Sequence, residues 1–416
     1  MAARYDVAVV GAGPAGSIAA LQLARQGARV ALIDKSEFPR AKACGDLVGP
    51  RGVALLQAHG VAVAGPPASD MYVEGPAGRR VRLPAFPGRS YPGHALVCPR
   101  TTFDAALRSA ALDAGAEGVQ ARVTGLASVD GHTRLTTAGN HRVDADHVVG
   151  ADGALSVVAE QAGLVRSEQV LWGFALRGYL PAVPDLPMIS LRDERPGRAY
   201  PGYGWLFPGV DGRANVGIGV GLLDDRSGSR RTRADLTAYV EGLVARGLLP
   251  CGEVEDVQGG WLKMGTVGTV PAAGRVLLVG DAAGLVNPLQ GEGIGPAMES
   301  AVLAARAICR SPGDAAAVYR QSLADRFSPY LNLAAPLQAA LLRHPAVVSV
   351  GARALTSAPV GRRLAGTWSL TWNDLLDGAT PRPALTAARL IRAAAGPLAR
   401  RSRTGRLLAE TFLDSG

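Results

Sequence analysis

The chain has 416 residues, 48% hydrophobic and 19% charged, which is too long for one ordinary core and too apolar for a disordered chain, and excludes a small binding module. Two intimately joined domains with an appended tail are expected. The formal charge of +9 is mostly arginine, because lysine occurs only at Lys35, Lys42 and Lys263, and the arginines are spread out without aromatic interleaving, which argues against nucleic acid as a partner.

Cys44, Cys98, Cys251 and Cys309 stand far apart with no C-x-x-C pair. Neither a zinc site nor a disulfide framework is indicated, and a reducing, cytoplasmic compartment is expected. The apolar start contains Asp6 and several glycines and prolines, so it does not read as a cleaved signal. No stretch reaches the roughly 18 uninterrupted apolar residues of a spanning helix. Membrane contact, if made, comes from the surface.

A short apolar, β-branched run over residues 6–10 predicts a strand. It is closed by Gly11-Ala12-Gly13-Pro14-Ala15-Gly16 and followed by a helical pattern over 18–25, then by a second strand over 29–33 that ends on Asp34 and Lys35. Strand, glycine turn, helix, strand and acid, with the acid about twenty residues past the turn, define a dinucleotide-binding unit. Gly11 permits the tight turn, Gly13 lets the backbone approach a pyrophosphate, and Gly16 lets helix and strand pack closely. The helix N-terminus faces the phosphates, and Asp34 is placed to accept from ribose hydroxyls.

Residues 71–91 and 167–223 show short strand-like runs between Gly-Pro turns, which predicts an antiparallel sheet inserted into the nucleotide-binding domain. Between them, residues 100–115 read as an amphipathic helix and 134–149 as a hairpin and strand that return to the parallel sheet. That strand ends in Gly150-Ala151-Asp152-Gly153. Tyr203, Trp205 and Phe207 alternate on one predicted strand and so share a face. Trp205 is assigned to a ligand-facing wall rather than the core, with its indole N–H as a polar handle. Gly217-Ile218-Gly219-Val220-Gly221 lacks a following apolar helix and reads as strand. A buried strand over 275–279 leads into Gly280-Asp281-Ala282-Ala283-Gly284 and then a small-residue helix over 295–310. From Tyr330 onward the pattern is helical, with interruptions expected at Pro345, Pro359, Pro381 and Pro397. No acidic residue lies between Asp377 and Glu410, where seven arginines accumulate; this is a solvated basic tail or a surface for peripheral contact with an anionic membrane.

The fold class is therefore α/β: a discontinuous Rossmann-like domain (1–70, 96–165 and 266–328), an inserted antiparallel sheet domain (71–95 and 166–265), and a C-terminal helical region (329–416). The three glycine turns, in their order and spacing, resemble the FAD-binding signatures of glutathione-reductase-type flavoproteins related to aromatic hydroxylases and flavin halogenases. Phe38-Pro39-Arg40-Ala41-Lys42-Ala43-Cys44-Gly45-Asp46, Pro201-Gly202-Tyr203-Gly204-Trp205-Leu206-Phe207-Pro208 and Asn287-Pro288-Leu289-Gln290-Gly291-Glu292-Gly293-Ile294 resemble the geranylgeranyl reductase family specifically.

The resemblance implies noncovalent FAD, re-reduced by NAD(P)H or another external donor. It implies cofactor contacts from Asp152, Gly153, Asp281 and Arg100, a loop of Gly291, Gly293 and Ile294 past the flavin pyrimidine edge, and Cys44 and Gly45 beside the flavin, with Cys44 the candidate catalytic residue. Tyr203, Trp205 and Phe207 then line a pocket for a hydrophobic, isoprenoid-type substrate. Gly284 replaces the histidine usual in aromatic hydroxylases, the Trp-x-Trp string of tryptophan halogenases is absent, and Ala159 stands where an arginine is expected. The implied activity is reduction of a carbon-carbon double bond. A monooxygenase acting on a prenylated or polycyclic natural product and a non-catalytic flavin-binding redox sensor are the alternatives. Oligomeric state is not legible.

Overall fold

Val7, Ala8, Val9 and Val10 are buried, the signature of a strand covered on both faces, and they lie on the central strand of a mainly parallel sheet. The computed structural model describes residues 3–76, 78–191, 202–222, 232–357, 373–377 and 382–413. In this sheet β18 (Val276–Leu278), β11 (Arg142–Gly150), β1 (Ala3–Val10), β2 (Val30–Asp34) and β8 (Glu117–Gln120) run parallel in that order. The short β17 (Ala272–Ala273) flanks β18, and β9 (Val123–Val129) and β10 (His132–Thr137) form an antiparallel meander from β11.

Helix α1 (Pro14–Arg25) packs against α3 (Arg100–Asp113) and α6 (Ile294–Arg310), and α2 (Pro50–Ala58) also packs on α6. Alanines at 297, 301, 304, 305 and 307 are buried along α6, and side chains this small let neighbouring helices approach. A three-stranded sheet of β3 (Leu47–Val48), β7 (Ala95–Val97) and β4 (Pro67–Ala68) lies between the larger units in sequence. The short α4 (Val157–Gln161) follows the Asp152 turn.

The second large sheet has the order β16 (Glu255–Met264), β12 (Leu171–Pro181), β15 (Arg213–Leu222), β14 (Gly202–Pro208), β13 (Met188–Ser190), β5 (Met71–Glu74), β6 (Arg80–Leu83). It is antiparallel except where β5 and β13 pair in parallel. One face packs on α5 (Thr232–Ala245), whose Leu236, Tyr239, Val240 and Leu243 join Leu180, Leu206 and Ile218 in a core. The alternation of β14 turns Tyr203, Trp205 and Phe207 to the opposite face.

Helix α7 (Ala315–Arg343) begins well before Tyr330 and carries Pro329 and Pro336 inside it; Pro345 opens α8 (Pro345–Leu355). Helices Arg382–Arg401 and Arg403–Leu413 pack back onto α7. The interruption expected at Pro397 does not occur, for the first of these helices runs through it. A proline removes one amide donor and crowds the preceding turn, which bends a helix as readily as it ends one. Pro359 and Pro381 lie outside the described residues. Arg382, Arg389, Arg400, Arg401, Arg403 and Arg406 are exposed on these helices. Among the described residues no single helix is long and apolar enough to cross a membrane.

Candidate active site

The C-terminal ends of β1, β2 and β11 converge on the first glycine turn. Gly11 has φ +100°, and a Cβ there would lie 2.3 Å from the carbonyl oxygen of Ala151, so the turns after β1 and β11 touch. A Cβ on Gly16 would lie 1.7 Å from the Gly11 carbonyl oxygen. The glycine between them differs: a Cβ on Gly13 would meet only the Arg40 guanidinium, at 3.4 Å. Space is thus left over the first turn of α1, where Pro14 takes the first helical position and the N-cap residue supplies no side-chain bond. Asp34 ends β2 with one carboxylate oxygen accepting the Ala12 N–H at 2.7 Å and the other the Ser36 N–H at 2.8 Å. Its neighbour Lys35 is exposed.

The turn after β18 brings Asp281 to the same end of the sheet. Its carboxylate faces the Lys42 ammonium at 3.5 Å, and a Cβ on Gly293 would lie 3.3 Å from it. Lys263 on β16 is 1% exposed. Burial pushes its amine down to about 8, against the pull of the Asp152 and Asp281 carboxylates. Asp152 itself turns into α4: it accepts the Ser156 hydroxyl at 2.5 Å and the Val158 N–H at 3.1 Å. Burial raises this carboxyl, and those hydrogen bonds oppose the rise. An open backbone cradle at Gly13, a helix start with no side-chain cap, and a buried lysine near two carboxylates fit an extended dinucleotide with an anionic pyrophosphate.

From this end a cavity of about 820 Å³ runs between the two sheets. Pro14, Cys44, Gly45, Arg100, Asp281 and the loop from Gly291 to Ile294 line it, as do Ile189, Tyr203, Trp205 and Phe207 of the second sheet and Leu341, Leu342 and Val348 of α7 and α8. Most of these walls are apolar, the character of a site that buries its ligand. Gly291 sits at φ +68°, and Tyr203 donates its hydroxyl hydrogen to the Gln290 carbonyl, which ties the glycine-rich loop to β14.

Trp205 is both wall and core. Its side chain lines the cavity, yet the residue is 5% exposed and packs with Ile189 and Phe207. The indole N–H donates to Asn215 Oδ1 at 2.8 Å. That bond corrects the expectation of a polar handle for ligand and of a residue outside the core: Asn215, two strand positions off the Trp205–Gly217 pair, reaches the indole across the sheet. Trp205→Ala is therefore expected to lower stability by about 3–5 kcal/mol in a thermal melt, as well as to weaken substrate binding. An unchanged melting temperature would show that the indole serves the ligand alone.

Behind the Cys44 loop lies a buried polar network that sequence reasoning missed. Asp46, at φ +58° and 2% exposed, accepts from the Tyr179 hydroxyl at 2.5 Å and from Asn215 Nδ2 at 2.9 Å. Asn215 Nδ2 also donates to the Cys44 carbonyl oxygen at 2.8 Å. The network fixes the backbone of Cys44 and Gly45 against Phe207, whose ring would lie 2.9 Å from a Cβ on Gly45. Burial raises the Asp46 carboxyl, against the hydrogen bonds from Tyr179 and Asn215. Burial likewise raises the Cys44 thiol, with Arg100 opposing, so the sulfur faces the cavity as a neutral group. Arg100 also lines the cavity, but its guanidinium makes a bidentate pair with Asp104 at 2.7 Å on both arms.

The structure thus brings Pro14, Cys44, Gly45, Arg100, Asp281, Gly291, Gly293, Ile294, Tyr203, Trp205 and Phe207 to one cavity. Gly11, Gly13, Ala15, Gly16, Asp34, Lys35, Asp152 and Gly153 are not part of its lining. Asp281→Ala is expected to weaken cofactor retention by about 1–3 kcal/mol, the range for losing a charged hydrogen-bonding partner, and unchanged retention after gel filtration would show that the carboxylate is not used.

A dinucleotide cradle opening into a largely apolar cavity defines a cofactor-dependent oxidoreductase. Residues 4–318 match the FAD binding domain family. The menaquinone reductase of Mycolicibacterium smegmatis is 35% identical over 339 residues, 73% of this chain and 76% of that protein. The digeranylgeranylglycerophospholipid reductase of Methanosarcina acetivorans is 34% identical over 313 residues, 73% of this chain and 74% of that protein. Among solved structures, a geranylgeranyl bacteriochlorophyll reductase-like protein from Thermoplasma acidophilum superposes with a TM-score of 0.70 at 22% identity, covering 99% of this chain and 100% of that one. A flavin-dependent brominase shares the fold at a TM-score of 0.70 and 17% identity, covering 96% and 100%. The chain belongs to the geranylgeranyl reductase family of FAD-dependent oxidoreductases.

Proposed function

We propose that the protein reduces carbon-carbon double bonds in the isoprenoid chain of a lipid or quinone. The observation that carries this reading is the cavity of about 820 Å³, which is lined both by Asp281 and the Gly291–Ile294 loop and by apolar side chains that include Leu341, Leu342 and Val348. Relatives named for a prenylated quinone and for a digeranylgeranyl lipid support the same class.

When bound, FAD supplies a hydride equivalent at its ring N5. In this reading the amides of Ala15 and Gly16 and the Lys263 ammonium would hold the pyrophosphate, Asp34 the adenosine ribose, and Asp281 the ribityl region. The backbone of Gly291, Gly293 and Ile294, with Cys44 and Gly45, would hold the flavin ring. Tyr203, Trp205 and Phe207 orient the chain and exclude water, which is the protein's share of the catalysis. The test is incubation of the flavin-loaded, dithionite-reduced protein with a polyprenyl quinone, followed by air reoxidation of any quinol and mass analysis of the isoprenoid chain. A gain of one H2 per reduced bond with the oxygen count unchanged supports the reading; an added oxygen atom, or no change, overturns it.

A further inference from the structure

We propose that Glu292 is the acid of this reaction, delivering its carboxyl proton to the alkene carbon that does not receive hydride. The inference rests on the reading above and adds to it a residue that holds the second hydrogen.

Glu292 lies on the loop that leads into α6. The loop is closed by two backbone bonds, Asn287 N–H to the Glu292 carbonyl and Gly291 N–H to the Asn287 carbonyl, both 2.8 Å, so the side chain projects from a fixed backbone into the cavity wall. One carboxyl oxygen accepts the Gly295 N–H at 2.7 Å. The groups that face it come from four elements. Arg51 on α2 gives Nε and Nη2 to the Asp374 carbonyl, at 3.1 and 2.7 Å. Glu299 on α6 is paired with Arg326 at 2.5 Å. Tyr203 on β14 and Tyr330 on α7 are near enough to feel its charge. Arg51 thus directs its hydrogen bonds to a carbonyl rather than to Glu292, and Glu299 has its own arginine.

Three other acids line the cavity, Asp70, Asp235 and Asp281; of these Asp70 faces Arg82 at 2.6 Å and Asp281 faces Lys42 at 3.5 Å. Burial lifts the Glu292 carboxyl to about 7; the Gly295 N–H opposes the rise, Glu299 adds to it and Arg51 opposes it. A carboxyl in that range is both protonated in a useful fraction at neutral pH and acidic enough to donate.

The balance is complete. The alkene π bond breaks, and the carbon best able to carry positive charge takes the hydride from the reduced cofactor. The less substituted carbon takes the proton from Glu292. Glu292 is left as a carboxylate and regains its proton from solvent, while an external two-electron donor restores the cofactor.

The experiment uses the flavin-loaded full chain, reduced with dithionite, with geranylgeraniol in detergent micelles as the probe. Glu292→Gln keeps the acceptor for the Gly295 amide and removes the transferable proton. Saturation of the probe should fall by at least ~100-fold, within the ordinary contribution of general acid catalysis, while flavin content, reduction by dithionite and reoxidation by oxygen stay unchanged. Glu292→Asp should recover part of the rate, which a merely structural cap would not require. In the wild type the rate should fall as pH rises through about 7. Infrared spectra of glutamate-labelled protein should show one protonated carboxyl lost over the same pH range and absent from E292Q.

Undiminished saturation in E292Q, or a carboxyl already ionised throughout that range, would overturn the proposal alone. A wild type that saturates no isoprenoid probe would overturn the parent reading, and the acid role with it. Should E292Q fail to load flavin, the wild-type pH profile and infrared titration still decide.

Discussion

Gly16→Ala is expected to lose most of its flavin and a large part of its stability. The added methyl would sit 1.7 Å from the Gly11 carbonyl oxygen and 2.9 Å from its carbon. Both are backbone atoms of a turn that is itself pinned, because Gly11 donates to the Ile33 carbonyl at 2.7 Å and Ala151 donates to the Val10 carbonyl at 2.7 Å. No side-chain rotation relieves the overlap, so α1 must move off β1. Overpacking costs about 1–3 kcal/mol where neighbours can adjust, and this site meets the Gly11 backbone on one side and the Ala151 methyl, at 3.1 Å, on the other, so the upper end is expected. Displacing α1 also moves the amides of its first turn from any phosphate they hold. Flavin absorbance after gel filtration and a thermal melt check both effects. A Gly16→Ala protein that keeps full flavin content would show that the turn does not hold the cofactor.

Arg100→Met should be comparably damaging, and for an electrostatic reason. Arg100 is 5% exposed and Asp104 0% exposed, and the two share a bidentate bond on the first turns of α3. Arg40 reaches the same carboxylate at 3.1 Å, so one buried anion sits between two guanidinium groups. Removing one partner of a buried pair typically costs about 3–5 kcal/mol because an uncompensated charge stays behind; the remaining Arg40 keeps the cost toward the lower end. The double variant Arg100→Met with Asp104→Leu should recover much of the loss. If the single variant melts as the wild type does, the pair carries no structural load and Arg100 serves the cavity alone.

The parts of the molecule that were legible in the sequence are those encoded over short distances. The β1 turn, α1 and the acid of β2 span 32 residues from Ala3 to Asp34, and each step has its own local signal: a β-branched run, glycines at fixed offsets, a helical period. The alternation of Tyr203, Trp205 and Phe207 needs only a strand to put them on one face. The network around Asp46 had no such signal. Tyr179 and Asn215 lie 133 and 169 residues away in sequence, and only the packing of the second sheet against the Cys44 loop brings them together. Trp205 finds its partner within the sheet, because Asn215 lies on the neighbouring strand β15.

Lys263 is a different case, since a lone lysine between Leu262 and Met264 near the end of an apolar strand was a readable anomaly in a chain with so little lysine. Asp152 was legible as a turn residue, but its carboxylate also accepts from Ser156, the N-cap of α4, and from the Val158 N–H in the first turn of that helix. A resemblance in motif does not separate the two uses.

The most direct test is an anaerobic single turnover. The flavin-loaded protein is reduced to the colourless state, mixed without oxygen with a geranylgeranyl lipid, and followed by flavin absorbance and by mass analysis of the lipid. Return of the oxidised flavin spectrum, with a lipid that has gained one H2 per bond saturated, is the predicted result. A flavin that stays reduced until oxygen is admitted, and a lipid that then carries an added oxygen atom, would contradict the account.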